Sequence, residues 1–312
     1  MALLSVIIPS YNEEDNIART ASRLGEILTE AKIHSELLFI SDGSRDNTFE
    51  EIKKAAKSDS NVKGYEFSRN FGKEAAIFAG LKMAEGNCAV VIDCDLQHPP
   101  EMIPQMFKLW KEGYDVVEGV KSDRGDESKI HKLFVGAFYG VMSKLMKINM
   151  NDTSDYKLLD RRVMDVLLEL KESNTFFRAL SFWVGFKSTS ISYEVQERTA
   201  GESKWSFMSL LKYAIMNTTS FTTAPLQLVM FLGIISVVMA VLMGIQTLIR
   251  YFMGNAVEGF TTVILLVLMI GGFIMISLGI VGHYIARIYE EVKGRPRYII
   301  ARETGREEAK HE

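Results

Sequence analysis

The chain has 312 residues, a formal net charge of -3 and a pI near 6.1. It therefore lacks the basic excess of a nucleic-acid-binding protein and can hold one large α/β domain or two smaller ones. Its two cysteines, Cys88 and Cys94, stand on and just after one apolar run. That placement suits neither a mutual bridge nor a zinc site and fits a reducing compartment.

The opening MALLSVIIPSYNEE has no basic leader and too short an apolar run for a signal peptide, so Leu3–Pro9 is expected to be the first strand of a cytoplasmic domain. Tyr11–Lys32 reads as a helix with Glu13, Glu14 and Asp15 at its positive end. Strand and helix then alternate through Glu36–Ser41, Asp46–Lys57, Val62–Phe67 and Lys73–Glu85, a strand from Cys88, a helix from Pro99 to about Trp110, and a strand at Asp115–Val120. This alternation predicts an α/β fold, a mostly parallel sheet with helices on both faces. Lys121–Lys132 is a polar, charged loop. Helices are expected at Ile130–Met146, Arg161–Leu170 and Thr175–Trp183, and a strand at Thr189–Val195.

The character of the chain changes after residue 204. Leu226–Ile249 and Phe260–Gly282 carry no charge and are each long enough to cross a bilayer, so both are expected to be transmembrane helices. Arg287, Lys293, Arg295, Arg297 and Arg302 follow the second span, whereas the connector between the spans offers only Arg250. The positive-inside rule then places both termini in the cytoplasm. Trp205–Phe221 mixes aromatics, Leu and a lone Lys, as an interfacial helix does. The expected plan is a catalytic domain over 1–204, an interfacial helix over 205–222, two spans within 223–286, and a basic cytoplasmic tail over 287–312. Gly271, Gly272, Gly279 and Gly282 offer small packing surfaces of the kind a homo-oligomer would use.

The chemistry is expected where strands end. CAVVIDCDLQ (Cys88–Gln97) is an apolar run closed by Asp93 and Asp95. In open α/β sheets ligands bind beyond the carboxyl ends of strands, and paired carboxylates suit a hard divalent cation that also holds a phosphate. The first strand ends in Pro9-Ser10-Tyr11-Asn12-Glu13-Glu14 with no Gly-x-Gly-x-x-Gly after it, which counts against a dinucleotide-binding oxidoreductase. The second ends in Ser41-Asp42-Gly43, where a carboxylate can reach a base or ribose or simply cap a turn. His98 and His131 have no partner spacing and read as surface or packing residues.

In order, PSYNEE, SDGSRD, RNFGKEAAIFAG and DCDLQHPPE resemble the motifs of the family 2 inverting glycosyltransferases with a GT-A fold. NFGKE, DYKLLDR, ERTAGESKWS and the paired spans ending in KGRPRYII are similar to the polyprenyl-phosphate branch, which includes bactoprenol glucosyltransferases and dolichol-phosphate mannose synthases. The resemblance implies that Pro9, Tyr11, Glu13 and Asp42 line a nucleotide pocket, that Arg69 and Lys73 lie near the base or diphosphate, and that Asp93 and Asp95 bind Mg2+ or Mn2+, with Gln97 following. Many family members have two aspartates before the Gly-Ser, whereas here Ser41 fills the first place. It also places Asp155 where a base or an orienting group for the acceptor is proposed.

A lipid phosphate is largely ionised at neutral pH and needs cations more than a base. Lys121, Arg124, Lys129, Lys132, Arg198 and Lys204 are the acceptor-phosphate candidates. The reading is transfer of a sugar, with inversion, from a UDP-sugar (glucose or N-acetylglucosamine) to polyprenyl phosphate at the cytoplasmic leaflet of the plasma membrane. A processive polysaccharide synthase would need a Gln-x-x-Arg-Trp motif and more spans, and neither is found. A silent nucleotide-sugar-binding membrane protein would have an eroded acidic triplet or cationic loop, and both are intact.

Overall fold

The structure, a computed structural model, describes residues 2–121, 154–170, 172, 176–193, 224–253 and 259–305. By contacts the chain forms two compact units, Met1–Lys204 with Pro296–Glu312, and Trp205–Arg295.

The first unit is built on an eight-stranded sheet: β1 (Leu3–Ser10), β2 (His34–Ser41), β3 (Val62–Phe67), β4 (Cys88–Val91), β5 (Val116–Lys121), β6 (Lys157–Asp160), β7 (Ser188–Tyr193) and β8 (Ile300–Glu303). The spatial order is β7-β5-β6-β4-β1-β2-β3-β8. β1 pairs in parallel with both β2 and β4, so the strand order reverses beside β1. Such a switch point opens a crevice at the carboxyl ends of the strands.

The helices are α1 (Ile17–Glu30), α2 (Thr48–Ser58), α3 (Lys73–Met83), α4 (Ile103–Lys111), α5 (Arg161–Glu169) and α6 (Phe177–Trp183). Alternate β1 residues face opposite layers, as a period of two requires. Leu4, Val6 and Ile8 join the core formed with Ile17, Leu24, Phe49 and Met106 of α1, α2 and α4. Ile7 instead meets α3, where a Cβ on Gly80 would fall 2.2 Å from an Ile7 methyl. α3 is buried from Ala75 to Leu81, and its exposed start carries Lys73 to the crevice.

Two expectations are corrected and one strand is added. The first helix starts at Ile17, with no acidic residue in its first turn. Residues 11–16 form a loop in which Asn12 adopts φ 55 and accepts from the Arg45 amide, while the amides of Glu13 and Glu14 donate to Thr48 and Asp46. These polar side chains bond the neighbouring loop instead of continuing a helix. Lys157–Asp160 is a strand, antiparallel to β4 and β5. Finally, 287–312 is not simply a tail: the last helix runs on to Lys293, and Ile300–Glu303 closes the sheet as β8, antiparallel to β3. Tyr298 stacks on Phe67 at 5.1 Å, and Arg302 pairs with Glu66 and Glu50.

The second unit contains α7 (Ala224–Phe252) and α8 (Phe260–Lys293). Within them Val229–Arg250 and Leu266–Lys293 are long and apolar enough to cross a membrane. Their large side chains are exposed along their length, including Phe231 at 59% and Met275 at 69%, which is the opposite of a buried core helix. The expected helices at 130–146 and 205–222 lie outside the described residues.

Candidate active site

A cleft of about 420 Å³ opens at the switch point, lined by Pro9 and Ser10 of β1 with Tyr11 and Glu13 of the loop after it, by Asp42 just after β2, by Asn70 and Gly72 just before α3 and Lys73 at its start, and by Asp93, Cys94 and Asp95 just after β4. Three strands therefore deliver carboxylates to one edge, as their sequence endings predict.

Asp42 lines the cleft and also holds a turn. Its carboxylate is 3% exposed as a residue and accepts from the amides of Phe71 and Gly72 at 2.6 and 2.8 Å. It holds the turn that starts α3. Burial raises its pKa, although those two amides and Arg69 oppose the rise. Gly43, with φ +63, makes the crossing possible, because a Cβ there would lie 2.3 Å from the Arg69 carbonyl carbon. Arg69 itself lies over the Phe71 ring at 4.0 Å.

Charge alternates across the cleft floor. Lys73 Nζ sits 2.6 Å from Asp93 Oδ1 and 3.0 Å from Asp155 Oδ2. Burial works against the ammonium, but the two carboxylates outweigh it and hold the Lys73 pKa above the usual lysine value. Burial likewise opposes ionisation of Asp93, yet His98 and Lys73 bring it down to about 2. Asp155 is 6% exposed and is gripped by Arg178, with Nε 2.6 Å from Oδ1 and Nη2 2.8 Å from Oδ2. Against the effect of burial, Arg178 and then Lys73 drive its pKa well below the ordinary carboxylate range.

A second layer supports this row. Lys157, 1% exposed, pairs with Glu118 at 3.1 Å, donates to Ser181 Oγ at 2.9 Å, and reaches the Arg178 carbonyl at 3.4 Å. It ties α6, the helix carrying Arg178, to β5 and β6. Glu74, next to Lys73, accepts from the Phe177 amide at the other side of that helix start. Burial, and then repulsion from Asp155, lift Glu74 from 4.5 to about 7.

The carboxylate pair fits a hard divalent cation. Asp95 is exposed, and its Oδ1 accepts from the Gln97 amide at 3.1 Å. Glu13 has its pKa raised by burial and, against a hydrogen bond from Asn16, by Asp95 and Asp93, which marks a concentration of negative charge on this wall. Among the described residues no group of three His, Cys, Asp or Glu side chains forms a ready-made cage. Two carboxylates with open positions suit Mg2+ or Mn2+, which take the rest of their shell from water and substrate phosphates.

The sequence profile of Glycosyl transferase family 2 matches residues 5–168. The chain belongs to that family. It is 41% identical to the uncharacterized glycosyltransferase YkcC of Bacillus subtilis, over 96% of this chain and 94% of the relative. It is 35% identical to the prophage bactoprenol glucosyl transferase homolog of Escherichia coli, over 96% of this chain and 98% of the relative. A structural likeness runs to the glucosyl-3-phosphoglycerate synthase of Mycobacterium tuberculosis, with a TM-score of 0.48, 18% identity, and coverage of 64% of this chain and 72% of that one.

This glycosyltransferase thus has the mixed, mostly parallel sheet of the GT-A class. Pro9, Tyr11, Glu13, Asp42, Lys73, Asp93 and Asp95 of the sequence-derived set line one cleft. Asp155 joins them through Lys73, and Arg69 flanks the turn behind Asn70. Gln97 is tied to Asp95 by its backbone and does not line the cleft. Lys121 ends β5, while Arg124, Lys129, Lys132, Arg198 and Lys204 lie outside the described residues, as does His131. Arg178, Lys157 and His98 were missed as site residues. Arg178 stands outside every recognised motif and Lys157 lies within DYKLLDR, and their roles depend on α6 packing against β5 and β6.

Proposed function

We propose that this glycosyltransferase transfers a sugar, with inversion, from a UDP-sugar, glucose or N-acetylglucosamine, to polyprenyl phosphate at the cytoplasmic face of a membrane. The observation that carries the reading is the Asp93–Lys73–Asp155–Arg178 row at the switch point of a chain matched nearly end to end by bactoprenol glucosyl transferases. Asp93 and Asp95 would hold Mg2+ or Mn2+ together with the donor diphosphate. When bound, the ion supplies Lewis-acid stabilisation of the departing nucleoside diphosphate.

Tyr11, 41% exposed at the cleft mouth, offers a ring to the donor's base, and Lys73 adds positive charge beside the diphosphate. Asp155 serves as an anchor. Its carboxylate is committed to Arg178 and Lys73 and holds its proton too weakly to be a useful base near neutral pH. The acceptor phosphate is ionised already, so attack on the anomeric carbon proceeds without one. Arg178 and Lys73, fixed through Asp155, set the positive field into which that phosphate enters.

Two apolar helices of 29 and 34 residues support a membrane-anchored enzyme. β8 follows those helices in the chain and yet pairs with β3 in the same sheet as β1. That connectivity supports an even number of crossings, with both flanks of the hairpin on one side.

The test is purified protein in detergent with undecaprenyl phosphate, Mg2+ or Mn2+, and a panel of UDP- and GDP-sugars. Nucleotide release and a lipid-linked sugar are expected with a UDP donor and only when lipid and metal are both present. Release without lipid, or product with Asp93→Asn at the native rate, would overturn the reading.

A further inference from the structure

Asp93 has a neighbour at each oxygen. Oδ1 lies on Lys73 at 2.6 Å, and Oδ2 faces His98 Nε2 at 3.6 Å, just beyond hydrogen-bond length. His98 is 8% exposed and held on every side. Its ring stacks on Tyr156, with centroids 5.2 Å apart and planes 21° apart, and meets Tyr193 edge-on at 5.7 Å and 83°. The Tyr156 hydroxyl donates to the Pro99 carbonyl at 2.9 Å, pinning the turn that carries the imidazole.

The second ring nitrogen decides what the first can do. His98 Nδ1 lies 2.5 Å from the hydroxyl of Tyr193, which ends β7 and is 95 residues away in sequence. A phenol keeps its proton at neutral pH. With Nδ1 taken up by the Tyr193 hydroxyl, Nε2 is the ring nitrogen turned to Asp93. Outer partners of this kind fix the tautomer of a histidine and the angle of a ligating carboxylate.

We propose that His98, keyed by Tyr193, is a positioning residue for Asp93: it stands beside Oδ2 while Lys73 stands on Oδ1, and so fixes the angle at which the carboxylate meets a divalent cation. This inference rests on the assignment of Asp93 to a metal site. It makes the side chain after Gln97 part of the site, and it assigns β7 a role at the opposite end of the β7-β5-β6-β4 half of the sheet.

The experiment is Mn2+ binding to the full-length protein in detergent, followed by electron paramagnetic resonance with and without UDP. Five proteins are compared: the native chain, Asp93→Asn, His98→Phe, His98→Gln and Tyr193→Phe. Phenylalanine keeps the stack on Tyr156 but has no nitrogen, whereas glutamine returns an N–H close to the place of Nε2. His98→Phe is expected to weaken Mn2+ binding by about 10- to 100-fold. His98→Gln should recover most of that loss, and Tyr193→Phe should lose affinity in the same direction but by less.

If His98→Phe misfolds, the His98→Gln and Tyr193→Phe pair still tests the arrangement. Native affinity in His98→Phe, with Asp93→Asn impaired, would overturn the role of His98 alone. Equal losses in the Phe and Gln variants would reduce His98 to packing and overturn it too. Failure of the native chain to bind Mn2+ would overturn the metal assignment and this role together.

Discussion

Arg178 holds Asp155 by both carboxylate oxygens, Nε to Oδ1 at 2.6 Å and Nη2 to Oδ2 at 2.8 Å. A paired geometry of this kind is directional as well as strong, so it fixes the acid as firmly as it fixes the guanidinium. Lys73 completes the arrangement from the opposite wall.

Asp155→Asn should therefore act on positioning. Turnover is expected to fall by about 100-fold, the scale of a misplacement near 1 Å. The folded-state pKa of Asp155 lies below its unfolded value. Its ionisation thus stabilises the fold at every pH above about 3.9, and that contribution is lost as pH falls through the lower folded value. The gap in thermal midpoint between native and Asp155→Asn protein should be constant from pH 5 to 8 and close in acid. A gap that widens in acid would contradict the anchor.

Glu74 has the opposite sign. Its pKa is raised from 4.5 to about 7, so the folded state binds the extra proton between those values. Stability from this group is complete below about 4.5 and declines as pH rises to about 7, at a slope of no more than about 1.4 kcal/mol per pH unit. Glu74→Gln keeps an acceptor for the Phe177 amide and removes the ionisation. Unfolding curves from pH 5 to 8 should show a flatter dependence in the variant, with the larger gain at pH 8.

Gly43→Ala places a methyl 2.3 Å from the Arg69 carbonyl carbon at φ +63. Neither backbone can yield without releasing the Asp42 contacts to Phe71 and Gly72. A loss of about 1–3 kcal/mol in stability is expected. The Michaelis constant for the nucleotide donor should rise more than the turnover number falls, because the displaced turn carries Lys73 away from the diphosphate. Steady-state kinetics with varied donor would show the reverse split if the strain reached the acceptor side first.

Ending the chain after Gly294 removes β8 and with it the pairing of β3 along Tyr65–Phe67, the stack of Tyr298 on Phe67, and the Arg302 ion pairs. An uncovered edge strand is a site for aggregation. The shortened protein should elute as aggregate and be cut rapidly by protease near β3. A monodisperse, active product would mean that the closing strand is dispensable.

The sequence by itself determined the elements whose signal is local. β1, β2 and β4 hold apolar runs closed by turn residues, and burial on both faces of a parallel sheet leaves that pattern in the chain. The two long apolar helices are equally legible, since a bilayer demands unbroken apolar length. Asp93 and Asp95 could be placed at the cleft because a carboxylate at a strand end stays at the sheet edge whatever else packs around it. Only the tertiary structure decided the rest. Lys157–Asp160 and Ile300–Glu303 are four residues each, too short for a period of two to stand out, and they become strands because β4, β5 and β3 offer open edges. That Asp42 holds the turn before α3 is decided by two amides from 29 and 30 residues away that point at it. His98 has no metal-site or triad spacing in sequence. Its alignment with Asp93 comes from Tyr193 and Tyr156, which reach it only when β7 and β6 have taken their places in the sheet.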